Sequence, residues 1–141
     1  MSAQGAPMRI SLRAGERVYI NGAVLRASRK TTIELLNDAT FLLESHVIQP
    51  ENATTPLRQL YFALQTQLIE PSSASARDVF RRIHAATCET FSTTDIVVGL
   101  RLVAMLADAG RAFDALKTIR NLFPLEERVL MTARSVAAEA A

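Results

Sequence analysis

A chain of 141 residues, 49% hydrophobic and 21% charged, is long enough to bury its own core and too apolar to be a disordered polyelectrolyte. Sixteen basic against 14 acidic side chains leave a net charge of only +2, and the one cysteine, Cys88, cannot form an internal disulfide, which fits a reducing cytoplasm. The most apolar stretch, Ile96 to Ala107, is interrupted by Arg101 and is too short to span a bilayer, so a membrane partner is not expected.

Residues 1–7 lack the positive and apolar regions of a signal peptide and are expected to be a flexible tail. From Met8 onward the pattern is that of short strands. Asn21-Gly22 suits the two positive-φ positions of a type I′ turn, so the runs on either side form a hairpin in which Arg17 faces Arg26 and Tyr19 faces Val24. Alternation puts Val18, Ile20, Ala23 and Leu25 on one face, expected to be core, and Arg17, Tyr19, Val24 and Arg26 on the other. The preceding run points Met8, Ile10 and Leu12 one way and Arg9, Ser11 and Arg13 the other, with Ala14-Gly15-Glu16 as a turn. Thr31 to Leu36 reads as a further strand, Asn37-Asp38 as a turn, Ala39 to Glu44 as a strand with Phe41 and Leu43 on one side and Leu42 on the other, and His46 to Ile48 as a last extended piece. Five short strands in residues 8–50 are too few to stand alone and need helices to pack on.

Those helices are expected in residues 51–141. Thr55-Pro56 is an N-cap followed by proline at the first helical position, with Leu57, Leu60, Tyr61, Leu64 and Leu68 at helical spacing up to Pro71. A second helix is expected over residues 76–91 through Val79, Phe80, Ile83, Thr87 and Phe91. A third runs from Thr94 to Gly110 and is apolar nearly all round, as a central helix would be. A fourth follows from Arg111 to Phe123, ended by Pro124, and a fifth from Leu125 to Ala138, with Glu126 and Glu127 at its positive end. The expected fold class is therefore α+β: a small N-terminal antiparallel sheet packed on a C-terminal bundle of about five helices.

The excess positive charge lies entirely in residues 1–50, and 14 of the 16 basic side chains are arginine, the better residue for bidentate phosphate and base contacts. Two arginines opposed on neighbouring strands destabilise the pair unless an anion sits between them. If the hairpin and the first strand share a sheet, Arg9, Arg13, Arg17, Arg26 and Tyr19 line one surface, extended by Arg29 and Lys30. That surface is a candidate RNA platform, with guanidiniums for phosphates and one aromatic for stacking. Catalysis finds no comparable support. His84 and Cys88 stand four apart on a helix, but only His46 remains as a further soft ligand and a zinc site needs three or four, so neither a metal nor another cofactor is expected. Ser72, Ser73 and Ser75 have no glycine elbow, no glycine loop cradles phosphate, and a helix-turn-helix over residues 76–106 would read DNA with Arg101 and almost nothing else.

The runs Ala14-Gly15-Glu16-Arg17-Val18-Tyr19-Ile20-Asn21-Gly22-Ala23-Val24 and Thr55-Pro56-Leu57-Arg58-Gln59-Leu60-Tyr61-Phe62-Ala63-Leu64-Gln65, followed by Glu70-Pro71, resemble the FlbT family of bacterial flagellar regulators. The arginine-bearing sheet with its Gly-Glu turn also resembles, over a shorter stretch, the carbon-storage regulator family of mRNA-binding proteins. Resemblance to FlbT implies a cytoplasmic, non-enzymatic protein that binds the 5′ untranslated region of flagellin mRNA and governs its translation and decay, mostly as a repressor. It also implies a role beside a second small flagellar protein, FlaF. On this reading the basic sheet touches RNA and the helical half contacts protein, FlaF or flagellin being the partners implied. The rival is an adaptor whose helices hold a flagellar protein and act on mRNA only indirectly.

Overall fold

The computed structural model describes residues 8–37, 39 and 41–140. The expected tail over residues 1–7 lies outside them, as do Asp38 of the expected turn and Thr40 of the strand after it. Five strands come first: β1 (Met8–Leu12), β2 (Arg17–Ile20), β3 (Ala23–Arg26), β4 (Thr31–Leu35) and β5 (Phe41–Leu43). Two 3-10 turns, Glu44–His46 and Pro50–Asn52, lead to four α-helices: α1 (Pro56–Ile69), α2 (Ala74–Thr90), α3 (Thr94–Asp108) and α4 (Ala112–Ala140). The α+β class is as the sequence predicts.

Asn21 at φ 50° and Gly22 at φ 85° make the type I′ turn, and the register around it is the expected one, Ile20 opposite Ala23 and Arg17 opposite Arg26. The single sheet of the sequence reading is in fact two. β1 pairs with β4, while β2 lies between β3 and β5. Both pairings belong to one ribbon, since the register that runs from Met8 opposite Leu35 to Leu12 opposite Thr31 continues unshifted to Arg17 opposite Arg26. Residues 13–16 and 27–30 interrupt it as a bend, where Gly15 takes φ +82° and the ribbon is held by Gly15 N–H to Ala27 O at 2.7 Å and Ala27 N–H to Glu16 O at 2.9 Å. Folded at this bend, the ribbon closes on itself. Ile10, Leu12, Ile33 and Leu35 meet Val18, Ile20, Phe41 and Leu43 in a small core between the sheets, and Phe113 of α4 stacks on Phe41 with ring centroids 4.7 Å apart.

The other face of β2 and β5 supplies Leu42 and Tyr19 to a larger core made with the helices, so the fold has three layers: outer sheet, inner sheet, helices. Only the β2 half of the hairpin is covered. Val18 is buried and Ile20 partly so, but Ala23 and Leu25, expected in the core, are exposed, because β3 is the edge strand of the inner sheet and the small core between the two sheets stops at β2 on this side.

The central helix is α1, which buries Leu57, Leu60, Tyr61, Ala63, Leu64, Gln65 and Leu68. The sequence reading assigned that place to α3. That helix buries only Ile96, Gly99, Leu100 and Val103, and Val98, Leu102 and Met105 remain 57%, 44% and 68% exposed, so its all-round apolar character does not reflect all-round packing. The expected fourth and fifth helices form one helix, α4, with Pro124 inside it. Proline here removes one backbone donor, and Ile119, Leu122 and Glu126, all buried, hold the flanking turns against the rest of the bundle.

Candidate nucleic-acid interface

The bend of the ribbon gathers basic side chains from four places in the sequence. Arg13 opens the crossing from β1 to β2, Arg17 and Arg26 face each other on the first pair beyond it, and Arg29 and Lys30 complete the crossing from β3 to β4. All five are exposed. Arg17 Nε lies 3.7 Å from Glu44 Oε1, and among the described residues no ion pair is formed by Arg13, Arg26, Arg29 or Lys30. Glu16, the acidic residue within the bend, is engaged locally: its carboxylate accepts the Arg13 N–H at 2.9 Å. The opposed arginines on β2 and β3 thus remain largely uncompensated, a cost that an anionic ligand would relieve.

Two of the seven residues singled out in the sequence stand apart from this cluster. Arg9 points out from the outer sheet beside Glu34, with Nε 3.5 Å from Oε1, on the far side of the sandwich from the β2–β3 face that carries Arg17 and Arg26. Tyr19 does share that face, but helices cover its half of it. The ring is partly buried against the helical core next to Leu42, so it contributes packing where an open stacking platform was expected. Strand alternation gives the faces, and says nothing about what lies over them.

Beneath the site, the connector from sheet to helices is fixed by polar side chains that the sequence reading passed over. Buried Gln65 clamps Ile48 through both backbone groups, accepting its N–H at 2.8 Å and donating to its carbonyl at 2.9 Å. The Tyr61 hydroxyl donates to the His46 carbonyl at 2.5 Å and accepts from Arg120 Nη1 at 3.0 Å. Glu126, fully buried on α4, accepts the Thr55 hydroxyl at 2.5 Å and the Leu57 N–H at 2.7 Å, closing the N-terminus of α1. The available signal was phase: Gln65 lies on the apolar stripe of α1, and Glu126 follows Ile119 and Leu122 on that of α4.

His46 in this connector has a buried Nδ1 with no hydrogen-bond partner, and burial, helped by the Arg120 charge, holds its pKa below the ordinary 6.5. The unfolded chain therefore takes up this proton first, so stability falls as pH drops through 6.5 and levels off once the folded imidazole also titrates. Urea midpoints measured at about pH 7.5 and about pH 5.5 should show that loss in the native protein and a smaller one in His46→Gln.

His84 Nε2 donates to the Leu100 carbonyl at 2.8 Å, which ties α2 to α3 and gives this histidine a structural partner. Among the described residues no group of three or more His, Cys, Asp or Glu is placed to hold a metal ion, and no helix is long and apolar enough to cross a membrane.

The family model described as flagellar protein FlbT matches residues 8–130, from the first strand well into the last helix. A protein of Brucella anthropi, named "Probable flagellum biosynthesis repressor protein FlbT", is 54% identical over 132 residues, which cover 92% of this chain and 87% of that one. Proteins of the same name from Brucella ovis and Brucella abortus are 56% and 55% identical over 124 residues, 87% of this chain and 82% of theirs. No solved structure matches. The agreement runs through the bent ribbon, the connector and the helices alike, and this chain belongs to the FlbT family of flagellar proteins.

Proposed function

We propose that the protein is a cytoplasmic regulator of flagellin synthesis that binds the 5′ untranslated region of flagellin mRNA and lowers its translation and stability. The supporting observation is the convergence of Arg13, Arg17, Arg26, Arg29 and Lys30 at the bend of the ribbon, with Arg17 and Arg26 directly opposed. A regulator of this kind needs no reaction chemistry. It competes for the message, and a compact group of arginines supplies the phosphate contacts that give affinity and salt dependence. Arg9 lies on the other side of the sandwich and would join only an RNA long enough to wrap around the outer sheet.

The second reading, an adaptor for FlaF, flagellin or another flagellar protein, is favoured by the exposed Val98, Leu102 and Met105, which fall on one side of α3 at helical spacing. Binding of purified, nuclease-treated protein to a flagellin leader RNA and to a scrambled leader, across a salt series, separates the two. An RNA regulator should prefer the true leader, with a slope of log K against log salt near −3 for four or five phosphate contacts. Equal binding to both RNAs, or none, would transfer the function to the helical layer.

A further inference from the structure

Beside the bend, the two halves of the folded ribbon do not close completely. A cleft of about 260 Å³ remains between them. Leu12 and Ile33 of the outer sheet and Val18 and Leu25 of the inner one supply its apolar lining, and Arg26, Ser28 and Arg29 line it as well. The volume lies below the roughly 300–1,000 Å³ of sites for drug-sized molecules, so the cleft has room for no more than a small group such as one ring system. Leu25 is 44% exposed on this side of β3, an apolar side chain held at the surface with nothing in the fold covering it. β3 is also the free edge of its sheet, so backbone donors and acceptors lie beside the opening.

A mainly apolar cleft of this size, a hydrogen-bonding sheet edge beside it and two cations in its lining together match one chemical object, an unpaired nucleobase with a phosphate on either side. We propose that this cleft takes up a single unstacked base of single-stranded RNA, with Arg26 and Arg29 on the flanking phosphates and Leu25 against the base. This rests on the RNA-binding reading above and sharpens it: duplex RNA keeps its bases stacked and offers none to the cleft, so the site selects an unpaired stretch of the message.

The experiment uses a short single-stranded flagellin-leader oligoribonucleotide and a set of derivatives in which each nucleotide in turn is made abasic, leaving every phosphate in place. Against the native protein, one abasic position should weaken binding about tenfold or more, the loss expected of one base contact. Leu25→Ala should bind the intact RNA more weakly by a similar factor, keep the native salt slope, and no longer distinguish that abasic RNA from the intact one. Val24→Ala, at the neighbouring position on the opposite face of the same edge strand, should behave as the native protein. Binding that is indifferent to every abasic position, or an abasic penalty that persists in Leu25→Ala, overturns the cleft as a base site while leaving RNA binding standing. Failure of the native protein to bind the intact oligoribonucleotide overturns both.

Discussion

Replacing Glu126 with alanine should cost about 3 kcal/mol of folding stability, a large part of the roughly 5–15 kcal/mol that a domain of this size possesses. The carboxylate is fully buried and takes two hydrogen bonds, from the Thr55 hydroxyl and the Leu57 N–H, both at the N-terminus of α1. Thr55 meanwhile accepts the Arg58 N–H at 3.2 Å, so one carboxylate from α4 and one hydroxyl satisfy the exposed donors of the central helix together. Removing the carboxylate leaves the buried Leu57 N–H without an acceptor, at about 1–3 kcal/mol, takes the partner from the half-buried Thr55 hydroxyl at a smaller cost, and withdraws negative charge from the positive end of the helix dipole. Leucine at this position isolates the cause. It restores the volume that alanine loses, and if packing were the main term Glu126→Leu would be tolerated. Because the loss is of acceptors, Leu should be about as damaging as Ala, while Gln, which keeps one carbonyl oxygen, should fall between them and the native protein. Urea midpoints at constant m-value measure the series, and a well-tolerated Glu126→Leu would show that the carboxylate is not what holds α1 to α4.

The same residue marks the limit of what the sequence discloses. Local chemistry was legible: Asn21-Gly22 sets the turn and with it the whole ribbon register, Thr55-Pro56 starts α1, and the opposite phases of Phe41 and Leu42 place them in the two separate cores. What was not legible depends on partners distant in the chain. Glu126 looks like a first-turn acid of its own helix because Pro124 precedes it, and its actual partners stand 69 and 71 residues away. Ala14-Gly15-Glu16 looks like a tight turn between neighbouring strands, yet β1 and β2 never pair. Both strands continue one register against the other arm of the ribbon, and only the packing of Ile10 and Leu12 on Val18 shows that the ribbon is folded over. That fold also rearranges the candidate site. The expected surface of seven residues becomes a basic bend, which loses Arg9 to the outer face and Tyr19 to the helical core and keeps Arg13, Arg29 and Lys30 in the crossings beside the arginine pair.

Arg26→Glu should strengthen the fold and weaken the function. In the native ribbon Arg26 stands directly opposite Arg17, and among the described residues the only acid paired with either is Glu44, 3.7 Å from Arg17 across a pair of half-exposed side chains whose attraction is largely screened. A carboxylate at position 26 turns that repulsion into a cross-strand attraction, a gain of about 0.2–1 kcal/mol in stability. For a polyanion approaching the bend the same substitution puts a like charge where a phosphate was held. Leader RNA should then bind about 1–3 kcal/mol more weakly, with a salt slope shallower by about 0.7 for each phosphate no longer neutralised. The opposite signs give the test its force, since a variant that merely damaged the fold would lose both stability and binding. Arg9→Glu on the outer sheet is the matched control: it makes the same change in net charge beside Glu34, away from the bend, and should alter affinity much less. If Arg9→Glu lowers RNA affinity while Arg26→Glu does not, RNA lies along the outer sheet, and the opposed arginines at the bend serve some other anion.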